Sequence, residues 1–246
     1  MYLTACDARL ASQAGRRFAG SWLGLMGLSI ATGLGLVGLW GAAWRIFGDY
    51  GLLVMPATAA AIGLLVWPMR HGLASLARIV AGEDLANRAI VISVVSVVVT
   101  TSFVCLRPDW YRAEYAMPPA VAWLRPDAKI YRVLILMPVW GCWAMLIALQ
   151  FCRPGEGTDA ATRALAGGCG PAAAAACMAV PLAGSIVYMH YLGAGAQWTV
   201  PAVTVLAAIA TGPILCRLAG GPTRSTLLAG NLLTQLVFLV TFLAFQ

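Results

Sequence analysis

The stretch AIVISVVSVVVTTSFVCL, from Ala89 to Leu106, contains eighteen consecutive residues without a charged side chain. At 1.5 Å of rise per residue such a helix is about 27 Å long, close to the ~30 Å thickness of a bilayer's hydrocarbon core. Apolar residues occupy every side of this helix, and only serines and threonines interrupt them. A helix that is hydrophobic all round is buried in a large protein core or in lipid. The stretch predicts a membrane-spanning α-helix.

Six further apolar runs of similar length occur along the chain. They are Ala19–Trp44, Leu52–Met69, Ile130–Phe151, Ala164–Leu192, Trp198–Leu215 and Leu227–Phe245. Each has enough residues to cross a bilayer, and Ala164–Leu192 exceeds the length needed, so we expect it to tilt or break. The pattern predicts an all-α, polytopic membrane helix bundle of about seven transmembrane helices, or six if one run does not cross. Residues 1–246 are expected to form a single integral-membrane domain.

The composition supports this class and excludes others. Hydrophobic residues make up 61% of the chain and charged residues only 10%, whereas soluble domains carry about 25% charged residues. A soluble globular protein, a disordered chain and a nucleic-acid-binding domain are therefore excluded. The abundance of Ala, Gly and Arg indicates a GC-rich bacterial genome. The expected location is the bacterial cytoplasmic (inner) membrane.

The distribution of basic residues predicts the orientation. Of the sixteen basic residues, ten precede the first run or follow the second, fourth and sixth runs. Cytoplasmic loops of membrane proteins carry the excess of Lys and Arg. This rule places the N-terminus in the cytoplasm, and residues 1–18 become a cytoplasmic N-terminal segment.

Two loops have distinct characters. Residues 70–88 place Leu73, Leu76 and Ile79 at helical spacing among charged residues, which predicts a cytoplasmic amphipathic helix. It lies on the membrane, docks a partner or simply connects two helices. Residues 107–129 form an external loop rich in aromatic residues, either a structured cap or a binding lid.

The sequence lacks the usual signatures of catalysis. No Asp, Glu or Lys lies well inside any of the seven runs, and no nucleotide-binding, zinc-protease or serine-hydrolase motif occurs. The seven cysteines form no CxxC pair and are interpreted as small packing residues. We therefore expect no enzyme activity and no metal site.

Histidine offers the one candidate for a cofactor contact. The chain has two histidines, and the predicted topology places His71 and His190 on opposite sides of the membrane. His190 lies between Tyr188 and Tyr191 and is a candidate contact for a haem, a pigment or a substrate. The alternative is an aromatic belt at the interface that happens to contain one histidine. Otherwise the sequence predicts no cofactor.

Polar residues within the runs suggest a path for a solute. Asn231 and Gln235 lie four residues apart and share one helix face, with Thr234 beside them. Amides inside lipid need partners, so this face is expected to point into the bundle. Ser96, on the run Ala89–Leu106, is a candidate for the opposite wall. The alternatives are that the amides form hydrogen bonds between helices and that the Ser96 hydroxyl bonds back to its own helix.

The first run carries a stripe of small residues. Gly27, Ala31, Gly35 and Gly38 recur at three- and four-residue steps, a spacing that allows another helix to approach closely. The stripe predicts helix packing and says nothing about function.

Two functional hypotheses remain. The first is an integral membrane subunit of a transport-type (permease) assembly without its own energy-coupling site. Its support is the proline-kinked helices, the amphipathic segment and the absence of a coupling carboxylate. The second is a non-catalytic scaffold or anchor subunit of a larger membrane complex, such as an electron-transfer assembly. Both predict contacts with lipid and with other membrane or peripheral subunits, or a homo-oligomer. An enzyme acting on lipid has less support.

Overall fold

The computed structural model of the chain describes residues 21–47, 69–106, 129–155, 158–190 and 193–245. Within these ranges the chain forms eight α-helices. They are α1 (Ser21–Phe47), α2 (Met69–Ala81), α3 (Leu85–Cys105), α4 (Lys129–Phe151), α5 (Ala160–Gly168), α6 (Pro171–Tyr188), α7 (Ala194–Ala219) and α8 (Arg224–Leu243). All of them except α2 and α5 are long and apolar enough to cross a membrane. The predicted polytopic helix bundle is confirmed, and the chain is a multi-pass membrane protein.

Three predicted segments fall largely or wholly outside the described residues. They are the N-terminal segment 1–18, the run Leu52–Met69 up to its last residue, and the aromatic loop 107–129 up to its last residue. The described part therefore holds six candidate spans.

Helix α4 forms the centre of the bundle. In its apolar part, 83% of the residues are buried inside the chain, against 17% in α3. Helices α1, α6, α7 and α8 all pack against α4. The indole N–H groups of Trp140 and Trp143 donate to the Ser185 hydroxyl and the Ala174 carbonyl, each at 3.0 Å, and so join α4 to α6. The core of the bundle is therefore built around one helix.

Glycines allow two helices to approach α4 closely. A Cβ at Gly33 of α1 would lie 2.7 Å from the Cα of Ile135, and one at Gly212 of α7 would lie 2.8 Å from the Cβ of Ala148. Separations this short exclude any side chain. Each glycine thus marks a point where two helix backbones nearly touch.

The predicted stripe on α1 does not make the close contact with α4. Nothing in the described chain lies within 4 Å of a Cβ built at Gly27, Gly35 or Gly38, and Ala31 is exposed. The spacing of small residues is similar on more than one side of this glycine-rich helix, so it could not single out Gly33. Close packing along the stripe stays a prediction for neighbours outside the described residues.

The long run Ala164–Leu192 is broken, as expected. Helix α5 ends at Gly168, and α6 begins at Pro171, which occupies the start of the helix. Proline suits this position because its missing N–H would have no helical partner there. The spanning part of the run is therefore α6 alone.

The segment 70–88 is largely helical, as its periodicity predicts. Helix α2 buries Leu73 and Leu76 and packs against α8, where a Cβ at Gly72 would lie 2.8 Å from the carbonyl oxygen of Leu228. A turn follows, and the Asp84 side chain accepts a hydrogen bond from the Ala86 N–H at 2.9 Å and starts α3. The amphipathic face thus has a partner within its own chain.

Candidate functional site

Polar side chains meet in the interior of the bundle about halfway along α8. Asn231, Thr234 and Gln235 are all buried, and the Gln235 Nε2 donates a hydrogen bond to the Asn231 Oδ1. The two amides are one helical turn apart, which allows the bond within a single helix. The predicted inward direction of this face is what the structure shows.

Gly141 of α4 provides the space that these amides occupy. A Cβ at Gly141 would lie 2.8 Å from the Gln235 Cγ, 2.9 Å from its Nε2 and 3.0 Å from the Asn231 Cγ. Any larger residue would displace the amides. Gly141 was not predicted from the sequence as part of the site, although it is the one glycine in the run Ile130–Phe151.

Two oxygen atoms at this site have no hydrogen-bond partner in the described chain. They are the Gln235 Oε1 and the Thr234 Oγ1, and both are buried. A buried polar atom without a partner costs about 1–3 kcal/mol. The site therefore contains unused hydrogen-bonding capacity in an apolar setting.

Thr234 contrasts with other threonines of the spanning helices. The hydroxyls of Thr32, Thr199 and Thr204 each donate to the carbonyl four residues earlier in their own helix, at 2.7–2.8 Å. This local bond is the usual way for a helical threonine to satisfy its hydroxyl in lipid. Thr234 does not use it, so its hydroxyl is left for another partner.

Ser96 is not joined to the amides. It is half-buried on α3, which packs chiefly against α2, and no hydrogen bond links Ser96 to Asn231 or Gln235 within the described ranges. The opposite wall of the amide site is instead Gly141 on α4. A contribution of Ser96 to a solute path stays a prediction.

His190 lies two residues after the end of α6, and it is exposed. Nearby, the guanidinium of buried Arg132 donates to the carbonyl of Tyr188 at 3.4 Å. A cation at a helix C-terminus interacts favourably with the helix dipole.

His71 lies on α2, and partial burial together with the positive charge of Arg224 lowers its pKa. A cofactor contact at His190 stays a prediction, and the described residues contain no group of three or more potential metal ligands.

An acidic side chain joins two helix ends near the start of α8. The Asp159 Oδ1 accepts from the Thr162 N–H at 2.8 Å, while its Oδ2 accepts from the Thr162 hydroxyl at 2.8 Å and from the Arg224 N–H at 3.0 Å. Partial burial favours the neutral acid, but the hydrogen bonds outweigh it and lower the pKa of Asp159. One carboxylate thus caps α5 and the first residue of α8 together.

The side chains at the amide site offer hydrogen-bond donors and acceptors. Amides and hydroxyls do not titrate near neutral pH, so they act by donating and accepting hydrogen bonds. Oxygen atoms without partners suit a ligand that donates hydrogen bonds, whether water or a neutral polar solute.

Comparison with known proteins gives no match: no protein-family model, no curated protein and no solved structure is significantly similar to the chain. The chemistry of the site alone carries the functional conclusion.

Proposed function

We propose that the chain is the membrane-spanning subunit of a permease-type transport assembly in a bacterial cytoplasmic membrane. In this proposal Asn231, Thr234 and Gln235 contact a neutral polar solute. The observation that carries it is the pair of buried oxygen atoms without partners, the Gln235 Oε1 and the Thr234 Oγ1. A solute that donates hydrogen bonds would remove the free-energy cost of leaving these atoms unpaired.

The position of the site supports the proposal. Gln235 lies near the middle of α8, and Gly141 lies near the middle of α4. Solute sites of many transporters lie near the bilayer midplane, where helices are irregular. Helix α4 is continuous here but lacks one backbone hydrogen bond, because Pro138 has no N–H to donate to the carbonyl of Leu134. The α4 backbone is therefore weakened one turn from the amide site.

The proposal assigns energy coupling to a partner. No Asp, Glu or Lys lies well inside the predicted spans, and such residues usually carry ion coupling in transporters. A peripheral subunit that hydrolyses nucleotide would supply the free energy of transport.

A scaffold subunit is the second candidate. The buried shares of the apolar parts of α1, α3 and α6 are only 22%, 17% and 22%. These helices leave wide apolar faces for lipid or for neighbouring membrane subunits. In a scaffold, the amides of α8 would serve packing alone.

Purification of the tagged chain from its native membranes in mild detergent separates the two candidates. The permease proposal predicts that a nucleotide-hydrolysing subunit co-purifies in stoichiometric amount and is absent from an untagged control. Redox subunits in its place would favour the scaffold. A chain that purifies alone would contradict the idea of an assembly.

A pair of variants tests the role of the amide. Gln235→Leu should reduce solute flux in vesicles while leaving thermal stability in detergent close to wild type. Gln150→Leu is the matched control, because the Gln150 Nε2 donates to the carbonyls of Leu146 and Cys169 at 3.2 and 2.9 Å and so serves structure. A lowered melting temperature for Gln235→Leu with intact flux per folded molecule would favour the scaffold.

A further inference from the structure

Exposed arginines collect at one end of the bundle. They are Arg70, Arg78, Arg153, Arg163 and Arg217, and together they are called the arginine rim. None of them forms an ion pair with a carboxylate of the described residues. Arg163 donates a hydrogen bond to the carbonyl of Thr158 at 2.7 Å, which is a neutral acceptor. The rim therefore presents positive charge that the described part of the chain does not balance.

Contacts between the helices bring the rim together, with the start of α8 as the common neighbour. Asp159, just before α5, accepts from the Arg224 N–H at 3.0 Å. The last part of α7 lies beside α8, since a Cβ at Gly230 would be 3.7 Å from the Leu215 Cδ1. The close contacts of the two glycines described above join α2 to α8 and the last part of α7 to that of α4. All five arginines thus belong to the same end of the molecule.

The carboxylates described at this end are already used within the chain. Glu83 forms an ion pair with Arg88 at 2.9 Å, and Asp84 caps the start of α3. Asp159 caps α5 and accepts from the first residue of α8. The charge of the rim is therefore available to an anion from outside the chain.

Arg217 lies at the end of the lipid-facing side of α7. Leu206 and Ile214 are two turns apart on this side and are 67% and 55% exposed. Arg217 follows Ile214 by three residues and so shares its side of the helix. An arginine in this position covers apolar surface with its stem and extends its guanidinium to the membrane interface.

Arg153 stands in a similar setting at the end of α4. Phe151, the last residue of α4, is 56% exposed, and exposed Arg153 follows two residues later. Each of the two arginines thus adjoins a large exposed apolar side chain. A phospholipid contacts both groups at once, because its acyl chains meet the apolar side chain while its phosphate meets the guanidinium. A water-soluble acidic protein would use the charge alone.

We infer that the arginine rim binds the phosphate headgroups of anionic phospholipids, with Arg217 and Arg153 as the principal contacts. The planar guanidinium matches the oxygen atoms of a phosphate and donates two parallel hydrogen bonds to them. The choline cation of phosphatidylcholine balances the charge of its phosphate, whereas phosphatidylglycerol keeps a net negative charge. The rim should therefore prefer phosphatidylglycerol. The inference is independent of the proposed transport function.

Native mass spectrometry of the purified full-length chain tests the inference. The chain is mixed in a neutral detergent with equal concentrations of phosphatidylglycerol and phosphatidylcholine that carry the same acyl chains. Wild type should retain phosphatidylglycerol in preference. Arg217→Gln and Arg153→Gln should each reduce this preference about fivefold, the factor that corresponds to one basic residue near an anionic surface.

The matched control is Arg88→Gln. The Arg88 guanidinium is paired with Glu83, so its removal should leave the lipid preference at the wild-type value. If Arg217→Gln does not accumulate, Arg153→Gln and a salt series on wild type decide. The preference for phosphatidylglycerol should fall as the ionic strength rises, because salt screens charges at a surface.

Four results would overturn the inference. The first is equal retention of the two lipids, and the second is a wild-type preference in both Arg217→Gln and Arg153→Gln. In the third, inorganic phosphate displaces phosphatidylglycerol at equal concentration, which would indicate a site for a free anion. In the fourth, the chain shows no lipid preference but binds polyglutamate in a manner that Arg217→Gln abolishes, which would indicate an acidic protein partner.

Discussion

Gly141 of α4 lies so close to Gln235 of α8 that a Cβ at position 141 would be 2.8 Å from the Gln235 Cγ. The absence of a side chain on one helix thus makes room for an amide on the other. This relationship places the polar site at the contact between α4 and α8, which are the most buried of the six described spans. Any account of function has to explain why an apolar residue does not fill that space.

Gly141→Ala should destabilise the bundle, because the new methyl group overlaps the Gln235 side chain. Overpacking of this kind costs about 1–3 kcal/mol. The measurement is thermal unfolding in detergent, with Gly230→Ala as the control. A Cβ at Gly230 meets only the Leu215 Cδ1 at 3.7 Å, an ordinary contact. Equal melting temperatures for the two variants would mean that the amides move aside freely.

Gly33→Ala and Gly35→Ala form a second matched pair on one helix. At Gly33 the methyl group would lie 2.7 Å from the Cα of Ile135, a backbone atom that cannot rotate out of the way. No described atom lies within 4 Å of a Cβ built at Gly35. We expect Gly33→Ala to lower the free energy of unfolding by about 1–3 kcal/mol. Gly35→Ala should have little effect on the isolated chain. A larger loss at Gly35 would show that the predicted stripe packs against a neighbour.

Asp159 should make the stability of the chain depend on pH. Its pKa in the folded chain is lowered from 3.8, so its stabilising effect is complete above that ordinary value and is lost as the pH falls through the folded pKa. Asp159→Asn keeps a capping oxygen but does not titrate in this range. The difference in melting temperature between wild type and Asp159→Asn should therefore shrink as the pH falls from 7 towards 3. A constant difference in melting temperature over that range would show that the hydrogen bonds do not stabilise the ionised form of Asp159.

Cysteines introduced at two exposed glycines test the orientation. Gly155 follows α4 and Gly195 lies at the start of α7, and neither has a neighbour within 4 Å of a built Cβ. In a Cys6→Ser, Cys105→Ser background, Gly195→Cys should react with an impermeant maleimide in intact cells. Gly155→Cys should react only after the cytoplasmic face is opened. The opposite pattern would reverse the predicted topology.

The sequence alone predicted the class of fold and the inward direction of the Asn231–Gln235 face. Both follow from local physics, since length and hydropathy define a span and buried amides avoid lipid. The sequence did not predict which residue faces a given side chain. The pairs Gly141–Gln235, Gly33–Ile135 and Asp159–Arg224 join residues far apart in the chain, and helical periodicity carries no information about such partners. The sequence also could not predict that the Thr234 hydroxyl has no partner within the described residues. A helical threonine whose hydroxyl bonds to its own backbone has the same sequence pattern.

The most direct test of the proposed solute contact is the accessibility of a cysteine at position 234. In the described state Thr234 is fully buried, so a water-soluble reagent reaches it only if the bundle opens along α8 to admit a solute. The control is Thr204→Cys, since Thr204 on α7 is equally buried. Both variants and wild type are treated in native membranes with a positively charged methanethiosulfonate. Intact mass then counts the adducts on each chain. If a solute reaches the amide site, Thr234→Cys should carry one additional adduct and Thr204→Cys none. A Thr234→Cys chain as unreactive as Thr204→Cys would contradict the proposed solute contact.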